Sequence, residues 1–346
     1  MKPDTGEREL VFKLLQENST LGQIAQYLKR KGLHHSAGSW DELFDKRVLK
    51  ALEEKQLTRE DLIELIRLAE EYGNQHVFLY RTSQKRGLEL MDKARVESSL
   101  DRMGLSSLVS RPRILDQPSS PTITDVRLDS DDGGNSLVAK VVERRAYQRF
   151  VDQRTEGEFL LRRYRELKVR AVNLFKLHGD GLLELRIYSH INSSDYRDDV
   201  AGMWNRLSFL LSPSEFKQVS IGSAKTNLWK NRGSLGSVLR YSDSMLRNPL
   251  GTVLLASTGS EQASLFDDDG ASKSLDEFLK YKAYCDASNV WWLKGGGKKA
   301  EDEFDMLPSK DVHVLLKGAL NEFVVTAKSS KQDYEYVLDQ LKRNNK

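Results

Sequence analysis

The sequence contains a single cysteine, Cys285. It can therefore close no disulfide within the chain and offers no paired-cysteine metal site, which fits a reducing compartment. No apolar run approaches the roughly 20 residues needed to span a bilayer. The opening MKPDTGEREL lacks the apolar stretch of a secretory leader. These absences lead us to expect an intracellular protein with no membrane partner, in cytoplasm, nucleoid or nucleus depending on its source. Catalytic signatures are also missing: no phosphate-binding loop, no GxSxG and no HExxH occurs. Gly295-Gly-Gly-Lys-Lys lacks phosphate-loop spacing and reads as a flexible loop. Nor does one sign of charge dominate, since the formal net charge is only +3.

The charge that is present is unevenly placed. Val138–Arg247 holds 20 Lys and Arg against 12 Asp and Glu, whereas residues 261–305 hold 6 against 11. A basic middle followed by an acidic segment points to an anionic partner for the first and a protein partner for the second. The apolar fraction of 39% is low for a globular chain, but 346 residues are enough for two or three cores. No internal repeat of fixed period is found.

The clearest structural signal is Arg162–Ile191. His178-Gly-Asp-Gly181 supplies turn chemistry between two apolar-rich runs. After it, Leu183, Leu185 and Ile187 alternate with polar residues and Tyr188, the period of a half-buried strand. Before it, Val169, Ala171, Phe175 and Leu177 share one face, while Lys168, Arg170 and Lys176 share the other with Val172 and Leu174. Upstream, residues 1–83 read as a helical domain. Leu21, Ile24, Ala25 and Leu28 form an apolar stripe, Ser39 is placed to cap the next helix, and Thr58 with Asp61 forms a capping-box pattern. Val77-Phe-Leu-Tyr80 is expected to pack beneath that bundle. Residues 84–136 read as a charged helix and a polar linker, with Pro112, Pro118 and Pro121. Residues 137–346 read as a basic domain with strands at 137–142, 168–177, 182–190, 217–222, 251–257, 311–316 and 322–328. Its helices are expected at 156–166, 198–211, 273–285 and 331–343. Strands and helices do not alternate as parallel βαβ units require. The fold class is therefore α+β, a helical bundle followed by a mostly antiparallel α+β domain.

The functional signal is an Arg-rich stretch interleaved with Tyr147, Phe150 and Tyr164. Arginine suits forked contacts to phosphate, and aromatic rings can stack on bases. The candidate nucleic-acid-binding residues are Arg144, Arg145, Arg149, Arg162, Arg163, Lys168 and Arg170. Lys225, Lys230 and Arg232 join them from an expected Gly- and Asn-containing loop around Trp229. Ion pairing with Glu143, Asp152, Glu156, Glu158 and Glu166 is the competing explanation for the first group. A helix-turn-helix at residues 20–54 is the weaker alternative, because Trp40–Lys55 carries four basic and five acidic residues. Asp180 with Glu184-Leu-Arg186 faintly resembles a nuclease carboxylate arrangement, at too short a spacing. His34-His35 and Asp267-Asp-Asp-Gly270 do not make convincing metal sites.

Val48–Ser83, VLKALEEKQLTREDLIELIRLAEEYGNQHVFLYRTS, resembles the centromere protein N family of kinetochore proteins. A helix ending in EEK, a capped helix and an aromatic-rich run follow in that family's order, with basic strands after them. The resemblance implies a pyrin-like helical domain, a mixed α+β domain and DNA or chromatin binding on a chromosome. Together these readings describe a non-enzymatic protein, without cofactor or metal, that binds duplex DNA through phosphate contacts in a basic groove between the two domains. A protein-interaction adaptor using the helical domain or the acidic segment 261–305 is the first alternative. A metal-dependent nuclease or defence effector is the second.

Overall fold

The computed structural model describes residues 5–131, 134–191, 195–260, 262–295, 308–318 and 321–346. The fold is α+β, as the sequence indicates, and its strands pair antiparallel. In chain order they are β1 (Gly73–Arg81), β2 (Thr122–Asp131), β3 (Gly134–Glu156), β4 (Phe159–His178), β5 (Leu182–Tyr188) and β6 (Lys217–Gln218). There follow β7 (Leu239–Arg247), β8 (Val253–Ser257), β9 (Tyr284–Trp292), β10 (Val312–Leu316) and β11 (Glu322–Lys328). Among the described residues, no helix is long and apolar enough to cross a membrane.

The chain divides into two compact units whose segments interleave. One is Met1–Ile66, Gly87–Gly179 and His190–Leu211; the other is Arg67–Arg86, Asp180–Ser189 and Ser212–Lys346. This division differs from the expected order of helical domain, linker and α+β domain. The charged helix expected after residue 83 is present as two helices, Gln84–Leu90 and Lys93–Arg102, and the stretch expected as polar linker holds helix Ser107–Ser110 and then β2. The Asp92 side chain caps helix Lys93–Arg102, accepting from Arg95 N at 2.9 Å. The run Val77–Tyr80 is not the floor of a helical bundle. It lies in β1, a central strand of the second unit.

In the first unit the helices Thr5–Asn18 and Leu21–Arg30 and the part of helix Arg59–Glu70 up to Ile66 bury Val11, Leu14, Leu15, Ile24, Leu28 and Leu62. Both expected caps form, Ser39 accepting from Glu42 N at 3.2 Å and Thr58 exchanging bonds with Asp61. Between Trp40 and Glu53 the helix widens into a π-turn over Phe44–Leu49. The connection from Lys31 to Ser39 is much longer than the turn of about three or four residues of a helix-turn-helix. β2, β3 and β4 form an antiparallel ribbon. Its root is apolar on both faces, with Leu137, Val141, Val142, Ala171, Leu174, Phe175 and Leu177 buried. Helix Arg197–Leu207 covers the root, and Trp204 meets Phe175 edge to face with centroids 4.7 Å apart.

In the second unit the strand order is β5-β1-β11-β10-β9-β7-β8, with β6 also pairing β1. Helices Gly222–Lys230 and Lys331–Asn344 pack over a core containing Trp229, Tyr241, Trp292, Phe323 and Tyr334. Gly73 opens β1 at φ +84, and a Cβ there would stand 2.1 Å from the Ala327 carbonyl oxygen. Only glycine fits this entry into the sheet.

Two further expectations are corrected. Residues 156–166 are not a helix: they continue β3 and β4 through a turn at Gly157, φ +59. Phe159, Leu160, Leu161 and Tyr164 instead stand opposite Glu156, Thr155, Arg154 and Phe150 in the ladder. The segment around Trp229 is a helix rather than an exposed loop, and Trp229 is a core residue donating to Asp276 Oδ1 at 2.9 Å. Of the Gly295 loop, residues 296–299 lie outside the described residues.

Candidate nucleic-acid interface

β3 and β4 are far longer than the sequence suggested because they remain paired after their core ends. Beyond Val142 and Ala171 apolar contact fades, and from Gln148 to Glu166 every described side chain is exposed. Gly157 and Glu158 alone close the far end, where Glu156 pairs with Phe159. An antiparallel ribbon without a core on either face is held by its ladder and cross-strand side-chain pairs. Here the cross-strand pairs include Arg163 with Asp152 and Phe150 with Tyr164.

The register sorts the side chains into two faces. One carries Arg144 opposite Arg170, then Lys168, then Phe150 opposite Tyr164, then Arg162 and Leu160. The other carries Tyr147, then Arg149 opposite Arg165, then Arg163, then Arg154 opposite Leu161. An irregularity between Phe150 and Asp152 leaves Val151 as an extra residue, a bulge that increases the local twist. Between Arg144 and Lys168 there are eight basic and four acidic residues.

Ion pairing divides these cations. Arg163 pairs with Asp152, Arg154 with Glu156 at 2.7 Å, and Lys168 with Glu166 at 3.3 Å. The bonded Asp152 carboxylate pushes the Arg163 guanidinium up from its ordinary pKa. Among the described residues Arg144, Arg149, Arg162 and Arg165 are exposed and make no ion pair. Their charge is available to an external anion, and they occupy both faces.

Where the ribbon leaves its core, another basic residue has a different job. Arg145 is only 8% exposed; Nε donates to Glu143 Oε1 at 2.8 Å and Nη2 to Asp199 Oδ1 at 3.0 Å. Asp199 Oδ2 lies 2.8 Å from His190 Nε2, and the Tyr147 hydroxyl lies 3.1 Å from His190 Nδ1. The carboxylate holds the neutral-ring proton on Nε2, leaving Nδ1 to accept from Tyr147. Arg145 is therefore a structural tie, not a surface contact as its sequence position suggested. Arg170 is half-buried and donates through Nε to the Leu115 carbonyl at 2.9 Å.

The candidates from the Trp229 region belong to the other unit and separate similarly. Lys225 is buried, and its Nζ donates to the carbonyls of Asp286 and Lys317, each at 2.7 Å. Burial pushes its ammonium pKa down, so it cannot serve as a surface contact. Arg232 pairs with Asp276 and lies over the Trp229 ring at 5.0 Å. Lys230 is exposed and makes no ion pair among the described residues.

The carboxylates suspected of nuclease chemistry are already engaged. Glu184 is fully buried, accepting from Arg186 Nε at 3.0 Å and from the Tyr334 hydroxyl at 2.5 Å. Asp180 caps the Leu182 amide and pairs with Arg81 and Lys342. Asp268 caps helix Asp269–Lys280 by accepting from Ala271 N at 2.9 Å. Among the described residues there is no group of three or more histidine, cysteine or carboxylate side chains placed to hold a metal ion.

Sequence reasoning found the arginines but missed the apolar end of the ribbon. Phe159 is 74% exposed and Leu160 52%, with Phe150, Val151, Leu161 and Tyr164 also exposed. Gly157, flanked by Arg-rich stretches of similar length, was the available signal for a hairpin tip. Neither a protein-family model nor a curated protein matches the chain.

Proposed function

We propose that this protein binds duplex nucleic acid, without catalysing a reaction on it, through the outer β3–β4 ribbon. The observation that carries the reading is the set of unpaired arginines Arg144, Arg149, Arg162 and Arg165 on both faces of an exposed two-stranded ribbon. A major groove about 12 Å wide admits such a ribbon, and guanidinium forks suit phosphate oxygens. Arginines on opposite faces can reach phosphates on opposite walls of one groove. Phosphate contacts fix position without reading sequence, so affinity should depend steeply on salt and weakly on base sequence. The resemblance of Val48–Ser83 to the centromere protein N family implies the same class of partner.

The reading is tested by titrating the full chain against a short labelled duplex from about 50 to 200 mM salt, with and without magnesium. Binding should weaken steeply with salt while the duplex stays intact. No binding at the lowest salt contradicts the reading, and magnesium-dependent cleavage replaces its non-catalytic part.

A second reading, a protein-interaction adaptor, is favoured by β8. Among the described residues it pairs only with β7 and presents Val253 and Leu255 outward, Leu255 65% exposed. An open strand edge accepts an extended peptide by backbone pairing. Loss of a bound protein partner in Leu255→Lys, in a chain that binds no duplex, would favour this reading.

A further inference from the structure

We propose that the tip of the β3–β4 ribbon is an apolar wedge that enters bound duplex nucleic acid between base steps and opens the stack. The inference rests on the nucleic-acid reading above and adds what the ribbon does once bound. Phe159 directly follows the two-residue turn, and Leu160 and Leu161 follow it on alternating faces. No residue of the described chain buries them, and Phe159 is the most exposed of the aromatic side chains in this unit. Such a concentration of large apolar groups is an interaction site rather than ordinary surface.

Charge identifies the occupant. Leu160 is followed on its own face by Arg162, and Leu161 lies on the face of Arg149 and Arg165. None of these three arginines makes an ion pair among the described residues. An apolar end flanked by free guanidinium groups matches base steps bordered by phosphates. Apolar wedges between base steps, with cationic side chains alongside, are a known means of kinking a duplex. A second copy of the chain fits less well, because two tips brought together would also bring together their unpaired arginines. The ribbon's narrow end suits a groove better than a flat partner surface.

The experiment uses the full chain and a duplex with 2-aminopurine at flexible pyrimidine–purine steps. End labels report bending by energy transfer. The wild type should raise 2-aminopurine fluorescence severalfold and shorten the end-to-end distance. A variant with Phe159→Ser, Leu160→Ser and Leu161→Ser should still bind, with an unchanged salt slope, but give neither signal. Phe159→Trp should retain both. Circular dichroism and thermal unfolding should match the wild type, since these side chains touch no core.

Binding without any fluorescence or distance change in the wild type overturns the wedge and leaves the nucleic-acid reading intact. Equal signals from the triple-serine variant overturn it too. No duplex binding at low salt removes both. Concentration-dependent self-association lost in the triple-serine variant, without unstacking, replaces the wedge with a contact between copies.

Discussion

Phe150 and Tyr164 stand opposite one another across β3 and β4, with ring centroids 5.9 Å apart and ring planes at 72°. Both rings are exposed, so the pair holds the outer ribbon without belonging to either core. Edge-to-face cross-strand aromatic pairs contribute about 0.5–1.5 kcal/mol beyond their area burial. A double-mutant cycle with Phe150→Ala and Tyr164→Ala should give a coupling of that size. It should be read from hydrogen exchange of the outer ribbon amides, because global unfolding reports the cores instead. Zero coupling would show that the ladder alone holds the ribbon.

Arg145 and Arg149 lie four residues apart in one strand yet should behave oppositely. Arg145→Ala leaves Glu143 and Asp199 without their buried cation and should cost about 3–5 kcal/mol of stability. Arg149→Ala removes an exposed, unpaired side chain and should change stability by no more than about 0.5 kcal/mol while weakening duplex binding. Chemical denaturation and binding on the same two variants check both halves. Equal stability losses would erase the distinction drawn between tie and contact.

Gly73→Ala should destabilise the second unit by well over the roughly 1 kcal/mol of an ordinary glycine effect. A Cβ there meets the Ala327 carbonyl, and the backbone sits at φ +84. Gly157→Asn, at φ +59 with open space around it, should be tolerated. Thermal unfolding of the two variants separates them.

Alkaline pH should unfold the second unit before side-chain chemistry intervenes. Burial pushes the Tyr241 and Tyr334 phenols well above their ordinary pKa of 10.0 and raises the Cys285 thiol from 9.0. The fold keeps these protons while the unfolded chain releases them. The stability they confer is therefore complete below about pH 9 and is lost as pH rises through 9 to 10 and beyond. Burial lowers the Lys225 pKa, so that group alone works in the opposite direction over the same range. Tyr241→Phe should flatten the alkaline fall at little cost near neutrality. An unaltered pH profile in that variant would assign the fall to other groups.

Much of the fold was legible where one local rule acted alone. Alternation marked β5, and the helix expected at 331–343 is Lys331–Asn344, which the structure shows to be opened by a Ser330–Asp333 capping box. The ends of β11 follow the apolar run Glu322–Lys328. The outer ribbon was not legible because its strands bury no face, leaving no period-two hydrophobic pattern. β7 and β9 were also missed. Ser242, Ser244, Asp286 and Ser288 are buried within them, so polar residues occupy positions where alternation calls for apolar ones. The interleaved units could not be read locally, since β1 takes its partners from β5 and β11, far along the chain. At the candidate site, the surplus of arginine was visible in the sequence. Which arginines are ion-paired, buried or free depends on cross-strand register, which separates Arg145 from Arg149, and helix packing separates buried Lys225 from exposed Lys230.

The most direct measurement is the salt dependence of duplex affinity for the wild type and a variant with Arg144, Arg149, Arg162 and Arg165 all changed to Ala. Each phosphate contact contributes about 0.9 to the slope of log affinity against log salt. The folded variant should bind more weakly, with a slope shallower by roughly 3 to 4. Equal affinity and slope in a variant with native thermal stability would contradict the assignment of the ribbon as the nucleic-acid interface.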